Sequence, residues 1–234
     1  HIAWALCNPG ELVLVPNPGY QIFSAGPRLC DAEVWEYPLL EEHQFLPQLD
    51  EIPEEIARRA RYMVVSYPAN PICRTAPESF YRDLIAFAKK YEIIILHDNA
   101  YSDIIYDGRR GGSFLEYKGA KEVGIEFYSL SKSFNYTGAR LSFAVGNRAV
   151  IQKFKALRTQ FDYGIFLPVQ YGAIAALTGP FDGVRSAGTM RSVTVHSAAG
   201  CAVSAGMFRI ARGQCSYGRR YRRATRILRT FVWS

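Results

Sequence analysis

The sequence predicts an α/β fold, a three-layer sandwich built on a mainly parallel mixed sheet. Three observations carry that expectation. Between Glu11 and Gly179, short apolar runs rich in β-formers alternate with helical segments, the pattern of strands joined by crossover helices. Three of those runs end abruptly in polar residues: RYMVV gives way to SYPAN, EIIIL to HDNAY, and GIEFY to SLSK. The chain is also long enough, at 234 residues with 49% hydrophobic, to bury one large core.

The elements follow in order. HIAWALC reads as a buried helix, stopped by Asn8-Pro9-Gly10. ELVLVP is a first strand, closed by Pro-Asn-Pro-Gly, and AEVWEYPL is a second. Residues 50–60 (DEIPEEIARRA) suit a helix, with acids early and arginines late as the helix dipole prefers. RYMVVSYP is a buried strand. Thr75 to Glu78 reads as a capping box with Pro77 in the first turn. It would open a helix whose Phe80, Leu84, Ala88 and Tyr91 share a face. EIIILHD is the clearest strand, followed by VGIEFYSLS and ARLSFAVGN. RAVIQKFKALRTQF is an amphipathic helix presenting Ile151, Phe154, Leu157 and Phe161. Pro168 to Leu177 is a helix of small residues ending at Gly179-Pro180.

The net charge of +7 is unevenly placed. Residues 1–180 hold 18 Lys and Arg against 20 Asp and Glu; residues 181–234 hold ten Arg against the single acid Asp182. All the basic character therefore belongs to the last segment. The five cysteines are scattered without a CxxC, which suits reduced thiols in the cytoplasm. The four histidines are isolated, which argues against a metal site. No apolar run reaches the length of a membrane span, and no GxGxxG follows a strand, which argues against a Rossmann dehydrogenase.

Ligands of open α/β sheets bind beyond the carboxyl ends of the strands. If the three polar-ended strands are parallel, Asn70, Asp98, Tyr101, Ser129 and Lys132 meet on one rim. That set matches the needs of pyridoxal phosphate chemistry. Lys132 can form the Schiff base, because a partly desolvated lysine is a good imine former and proton shuttle. Asp98 can hold a proton on the pyridine nitrogen. Asn70 and Tyr101 can reach the phenolic oxygen. Ser129, Ser131 and Arg140 suit the phosphate, and Tyr20 in PNPGY can stack on the ring. Taken singly, each has a plainer reading. Lys132 is then a solvated surface residue, Asp98 a helix cap, and Asn70-Pro71 only a turn. Tyr20 and Tyr101 are then core aromatics, and Arg140 a surface ion-pair partner.

In combination, YPANP, HDNAYSD and SLSKSFNYTGAR resemble the class I/II aminotransferases, fold-type-I pyridoxal phosphate enzymes, over roughly residues 1–180. The wording around the motifs is most like the LL-diaminopimelate aminotransferase-like members. The resemblance implies the fold of that family's large domain and pyridoxal 5'-phosphate as cofactor. It implies a catalytic Lys132, with Tyr20, Asn70, Asp98, Tyr101, Ser129, Ser131 and Arg140 around the same cofactor. It further implies amino-acid and 2-oxo-acid substrates, a biosynthetic role and a homodimer. The same anchors would also serve a lyase or racemase.

The chain departs from the family pattern in places. The family usually has Asn-Pro-Thr-Gly where this chain has Asn70-Pro71-Ile72-Cys73, so the turn after Asn70 is built without glycine. The family's phosphate loop before the first helix, and the arginine that binds the substrate carboxylate, have no counterpart here. The expectation is a large domain at 1–180, truncated at its N-terminus and poor in activity on its own. Residues 181–234 would then be an aberrant or out-of-frame segment in place of a small domain. The alternative for that segment is a nucleic-acid-binding arm with Tyr217 and Tyr221 among arginines.

Overall fold

The computed structural model describes residues 1–105 and 111–180, together with two short strands, Ile210–Ala211 and Gln214–Cys215, that pair antiparallel. The expectations about residues 181–209 and 216–234, an out-of-frame tail or a basic arm, lie outside the described residues.

Chain order is α1 (Ile2–Leu6), β1 (Leu12–Asn17), α2 (Ile22–Arg28), β2 (Glu33–Pro38), α3 (Glu54–Arg59), β3 (Ala60–Ser66) and α4 (Glu78–Tyr91). It continues with β4 (Ile94–Asp98), α5 (Ala120–Val123), β5 (Gly124–Ser129), α6 (Leu130–Ser133), β6 (Ser142–Gly146), α7 (Arg148–Phe161) and α8 (Leu167–Thr178). The six strands form one sheet in the order β2-β1-β3-β4-β5-β6. The first five are mutually parallel and β6 runs antiparallel to β5, so the sheet is mixed as expected.

Strand alternation splits the core into two layers. Val13, Val15, Tyr62, Val64, Leu96 and Ile125 face one side, where Leu6 of α1, Phe23 of α2 and Val150 of α7 cover them. Leu14, Met63, Val65 and Ile95 face the other, under Ala57 of α3, Phe80, Leu84 and Ala88 of α4, and Ala120 of α5. Leu84 is wholly buried, so truncating it to Ala would cost roughly 2–5 kcal/mol. Leu130, Leu141 and Ala173 form a third, smaller cluster where α6 meets α8. Among the described residues no helix is long and apolar enough to cross a membrane.

Two local expectations are corrected. The helix expected over 50–60 is shorter. Leu49–Glu51 is a single 3-10 turn, α3 ends at Arg59, and β3 already begins at Ala60. The capping box at Thr75 does not form. Pro77 is itself the N-cap of α4, extended at ψ 162°, with no side-chain cap bond. The reason is steric: a proline disfavours helical backbone in the residue before it, so Ala76 cannot be the first helical residue.

Candidate active site

The parallel arrangement brings the carboxyl ends of β3, β4 and β5 to one rim. Ser66 of β3 is in register with Asp98 of β4, and Asp98 with Phe127 of β5. Ser129 closes β5 opposite Ser142 of the antiparallel β6. That pairing returns the chain segment carrying Arg140 to the same rim.

A cavity of about 310 Å³ opens there. This is near the lower end of the roughly 300–1,000 Å³ typical of small-molecule sites. Asp98, Phe127, Tyr128, Ser129 and Ser142 line it together with Tyr62, Val64 and Leu96 of the sheet and residues of α1 and α2, whereas Asn70, Tyr101 and Lys132 are not among its lining residues. The lining is mainly apolar with a few polar groups, the usual build of a site that orients an organic ligand.

Asp98 is the one acid among the residues lining the cavity. Burial pushes its carboxyl up from the usual aspartate range, against the Ala100 N–H and the neighbouring His97, which pull it down. Its Oδ1 accepts from Ala100 N at 3.2 Å, but residues 100–103 make turns, so Asp98 is not the cap of a regular helix. Tyr101, on those turns, accepts a hydrogen bond from Asn70 Nδ2 at 3.4 Å. Its phenol is raised by burial and by the proximity of Asp98, Cys73 and Tyr20, while Asn70 pulls it down. The Lys132 Nζ lies 5.7 Å from the centre of the Tyr101 ring. Asn70, Asp98, Tyr101 and Lys132 thus form one connected group.

Lys132 sits in α6, a single turn whose N-cap is Ser129. Ser129 Oγ accepts from Ser131 N at 3.2 Å. Ser131 is buried, and its carbonyl accepts from Thr137 Oγ1 at 2.8 Å. Two expected residues stand further out. Tyr20 is 50% exposed and packs edge-on against Phe23 with ring centres 5.9 Å apart. Arg140 is exposed, with NH1 donating to Thr137 O at 2.9 Å.

The residues present suit pyridoxal 5'-phosphate on the chemistry of the donor set. A buried carboxylate, an amide–phenol pair, a primary amine and a serine hydroxyl share one rim. Ser66 Oγ, beside Asp98 in register, is buried with no hydrogen-bond partner among the described residues, which leaves a donor at the same rim.

Sequence reasoning missed the other face of β4. His97 Nδ1 and Glu126 Oε2 are 3.0 Å apart in the buried core. Glu126 Oε1 also accepts from Ser113 Oγ at 2.9 Å and Asn99 Nδ2 at 3.2 Å, and its Oε2 from Phe114 N at 2.8 Å. Asp103 was missed as well: its Oδ2 accepts from the Tyr128 hydroxyl and from Ser133 Oγ. The available signal was a histidine and a glutamate inside strands apolar on both faces, where each needs a buried partner.

Known proteins agree with this fold. The family model for aminotransferase class I and II matches residues 1–197. The LL-diaminopimelate aminotransferase of Halothermothrix orenii is 48% identical over 184 residues, 79% of this chain and 47% of that protein. The enzyme of the same name from Desulforudis audaxviator is 46% identical over 186 residues, 80% of this chain and 47% of that protein. The chain therefore spans about half the length of the curated relatives it matches. Among solved structures, substrate-bound BacF of Bacillus subtilis superposes with a TM-score of 0.86 at 32% identity, over 97% of this chain and 60% of that one. An aminotransferase of Staphylococcus aureus gives 0.82 at 30% identity, over 92% and 56%.

Proposed function

The chain belongs to the class I and II aminotransferases, and from that premise we propose that its protein moves an amino group between an amino acid and a 2-oxo acid, with pyridoxal 5'-phosphate held through Lys132. The observation that carries the reading is the cluster of Asn70, Asp98, Tyr101 and Lys132 at the carboxyl ends of β3, β4 and β5. The bound cofactor supplies an electron sink that makes a proton on the substrate's Cα removable. This chain's residues would do the rest. The Asp98 carboxylate would hold a proton on the ring nitrogen. Asn70 Nδ2 and the Tyr101 hydroxyl would donate to the phenolic oxygen. Ser129, Ser131 and Arg140 would bind the phosphate, and Tyr20 would cover the ring. Lys132 Nζ would be the base that carries the proton leaving the substrate's Cα.

The names of the relatives support LL-diaminopimelate as the amino donor, and with it a place in amino-acid biosynthesis; the scattered cysteines, without a CxxC, fit a cytoplasmic setting. A homodimer is supported by α8 and the residues just before it. Phe166, Leu167, Tyr171 and Ile174 are all more than half exposed, an apolar surface suited to a second copy of the chain.

The test adds pyridoxal 5'-phosphate to the purified chain, reduces with borohydride and maps the modified lysine by mass spectrometry, with Lys132→Ala as control. A label confined to Lys132 supports the reading; labels spread over many lysines sink it. Turnover of LL-diaminopimelate with a 2-oxo acid acceptor then separates transamination from lyase or racemase chemistry.

A further inference from the structure

Lys132 stands on a helix of only four residues, far too short to hold a side chain in place by its own hydrogen bonds. Something outside α6 must fix it. On one side, Ser131 is tied within the same segment, by its N–H to Ser129 Oγ and by its carbonyl to Thr137 Oγ1. On the other side the tie crosses to a different part of the chain. Ser133, 3% exposed, donates its hydroxyl to Asp103 Oδ2 at 2.6 Å. The same oxygen accepts the hydroxyl proton of Tyr128, which precedes the cap Ser129. Tyr128's phenol is pushed up to about 12 by burial and by this bond, so it stays a donor throughout the neutral range.

Asp103 belongs to the segment that follows β4 and carries Tyr101 two residues earlier. That segment therefore meets α6 twice. The Tyr101 ring lies below Lys132 Nζ, and the Asp103 carboxylate grips the residue after Lys132. Hydroxyl–carboxylate bonds are short and strong compared with neutral ones.

We propose that Asp103 is the positioning residue for Lys132: by taking the hydroxyls of Tyr128 and Ser133 on one carboxylate oxygen, it locks the α6 turn to the segment bearing Asp98 and Tyr101. The inference rests on the proposed function, since it concerns how Lys132 meets the cofactor's aldehyde. Lys132 and its partners would lose their shared geometry without it, and misplacement by about 1 Å can cost up to ~100-fold in rate.

The experiment uses the full chain with pyridoxal 5'-phosphate over a range of concentrations, borohydride quenching at timed intervals, and quantification of the Lys132 peptide. Asp103→Leu and Ser133→Ala should slow the limiting rate of Lys132 labelling by about tenfold, while the half-saturating concentration stays within about twofold. That split marks positioning, because a general loss of structure would move both. Asp103→Asn should keep the rate within about threefold of wild type, because its amide oxygen still accepts both hydroxyl protons. Amide hydrogen exchange on the cofactor-free chain provides the independent readout. Phe134 N and Tyr136 N both donate to Leu130 O at 3.2 Å, and both should lose protection in Asp103→Leu. Labelling rates unchanged in Ser133→Ala and in a folded Asp103→Leu overturn the proposal. If Asp103→Leu does not fold, Ser133→Ala decides it. If wild type itself gives no selective label, the functional reading fails. The exchange of Phe134 and Tyr136 in Asp103→Asn and Ser133→Ala then decides the lock: protection kept in the first and lost in the second supports it, and protection kept in both overturns it.

Discussion

His97 Nδ1 lies 3.0 Å from Glu126 Oε2, across two neighbouring parallel strands and with almost no access to water. Asp98, the next residue, points to the opposite face, into the cavity. The pair thus braces the end of β4 from behind while Asp98 faces the cavity.

Burial alone would push the Glu126 carboxyl up. The bond and charge of His97, with bonds from Asn99 and Ser113, outweigh it and hold the carboxyl below its usual range. A lowered folded value means stability that is present above the unfolded glutamate value of about 4.3 and lost as pH falls through the folded one. Glu126→Gln should flatten that acid limb. Glu126→Ala should cost roughly 3–5 kcal/mol, since it strands a buried histidine and several donors. Denaturant melts of the three proteins between pH 7 and pH 3 check both. An acid limb equally steep in Glu126→Gln would refute the assignment.

Cys73 has φ +58°, in the left-handed region that non-glycine residues enter at a cost. The turn is closed by Cys73 N donating to Ala69 O at 2.5 Å and Ala69 N to Arg74 O at 2.9 Å. The chain thus keeps the left-handed turn without glycine. Cys73→Gly should stabilise by about 0.5–1 kcal/mol, the relief of the left-handed strain less the extra freedom glycine gains when unfolded. The denaturant midpoint should rise with an unchanged slope.

How much of this was legible in the sequence depends on where the determining contact lies. Asp98 and Ser129 announced themselves because an apolar strand that stops at a polar residue marks a rim, and the parallel order of β3, β4 and β5 follows from the helices between them. Asp103 did not, because its meaning depends on two hydroxyls 25 and 30 residues away, which only the folded turn brings to one oxygen. Glu126 was hidden for the same reason, sitting one strand over from His97. Thr75 misled in the opposite direction: its local motif was right, but the steric effect of Pro77 on Ala76 overrode it.

The apolar face of α8 gives a test of self-association. Tyr171 is 65% exposed and Ile174 56%, while Ala173 between them is buried against Leu130 and Leu141. Changing Tyr171 and Ile174 together to Glu removes two large apolar contacts without touching that packing. At roughly 1.5 kcal/mol or more each, the loss should weaken a dimer by about 100-fold. Sedimentation equilibrium should show the variant as monomer at concentrations where wild type associates, with an unchanged melting temperature once both are diluted to monomer. Identical association in both would remove α8 from the interface.

Asp98 carries the opposite linkage from Glu126. Burial is the largest influence on its carboxyl and raises it, so the folded chain resists the charged form. Between the unfolded aspartate value of about 3.9 and the raised folded one, the native state holds the proton more tightly, and stability falls as pH rises. Above the folded value the full cost of the buried charge is present. Asp98→Asn carries no such charge and keeps the Oδ1 that accepts from Ala100 N. The variant should therefore melt higher than wild type at pH 7, with the gap closing as the pH falls through the raised folded value towards about 4. Because the proposed role of Asp98 needs its negative charge, the same variant should lose transamination while Lys132 is still labelled. A residue retained at a cost in stability and required for activity is one held for function. An Asp98→Asn chain that is both less stable at pH 7 and fully active would show instead that the carboxylate is a structural turn-former.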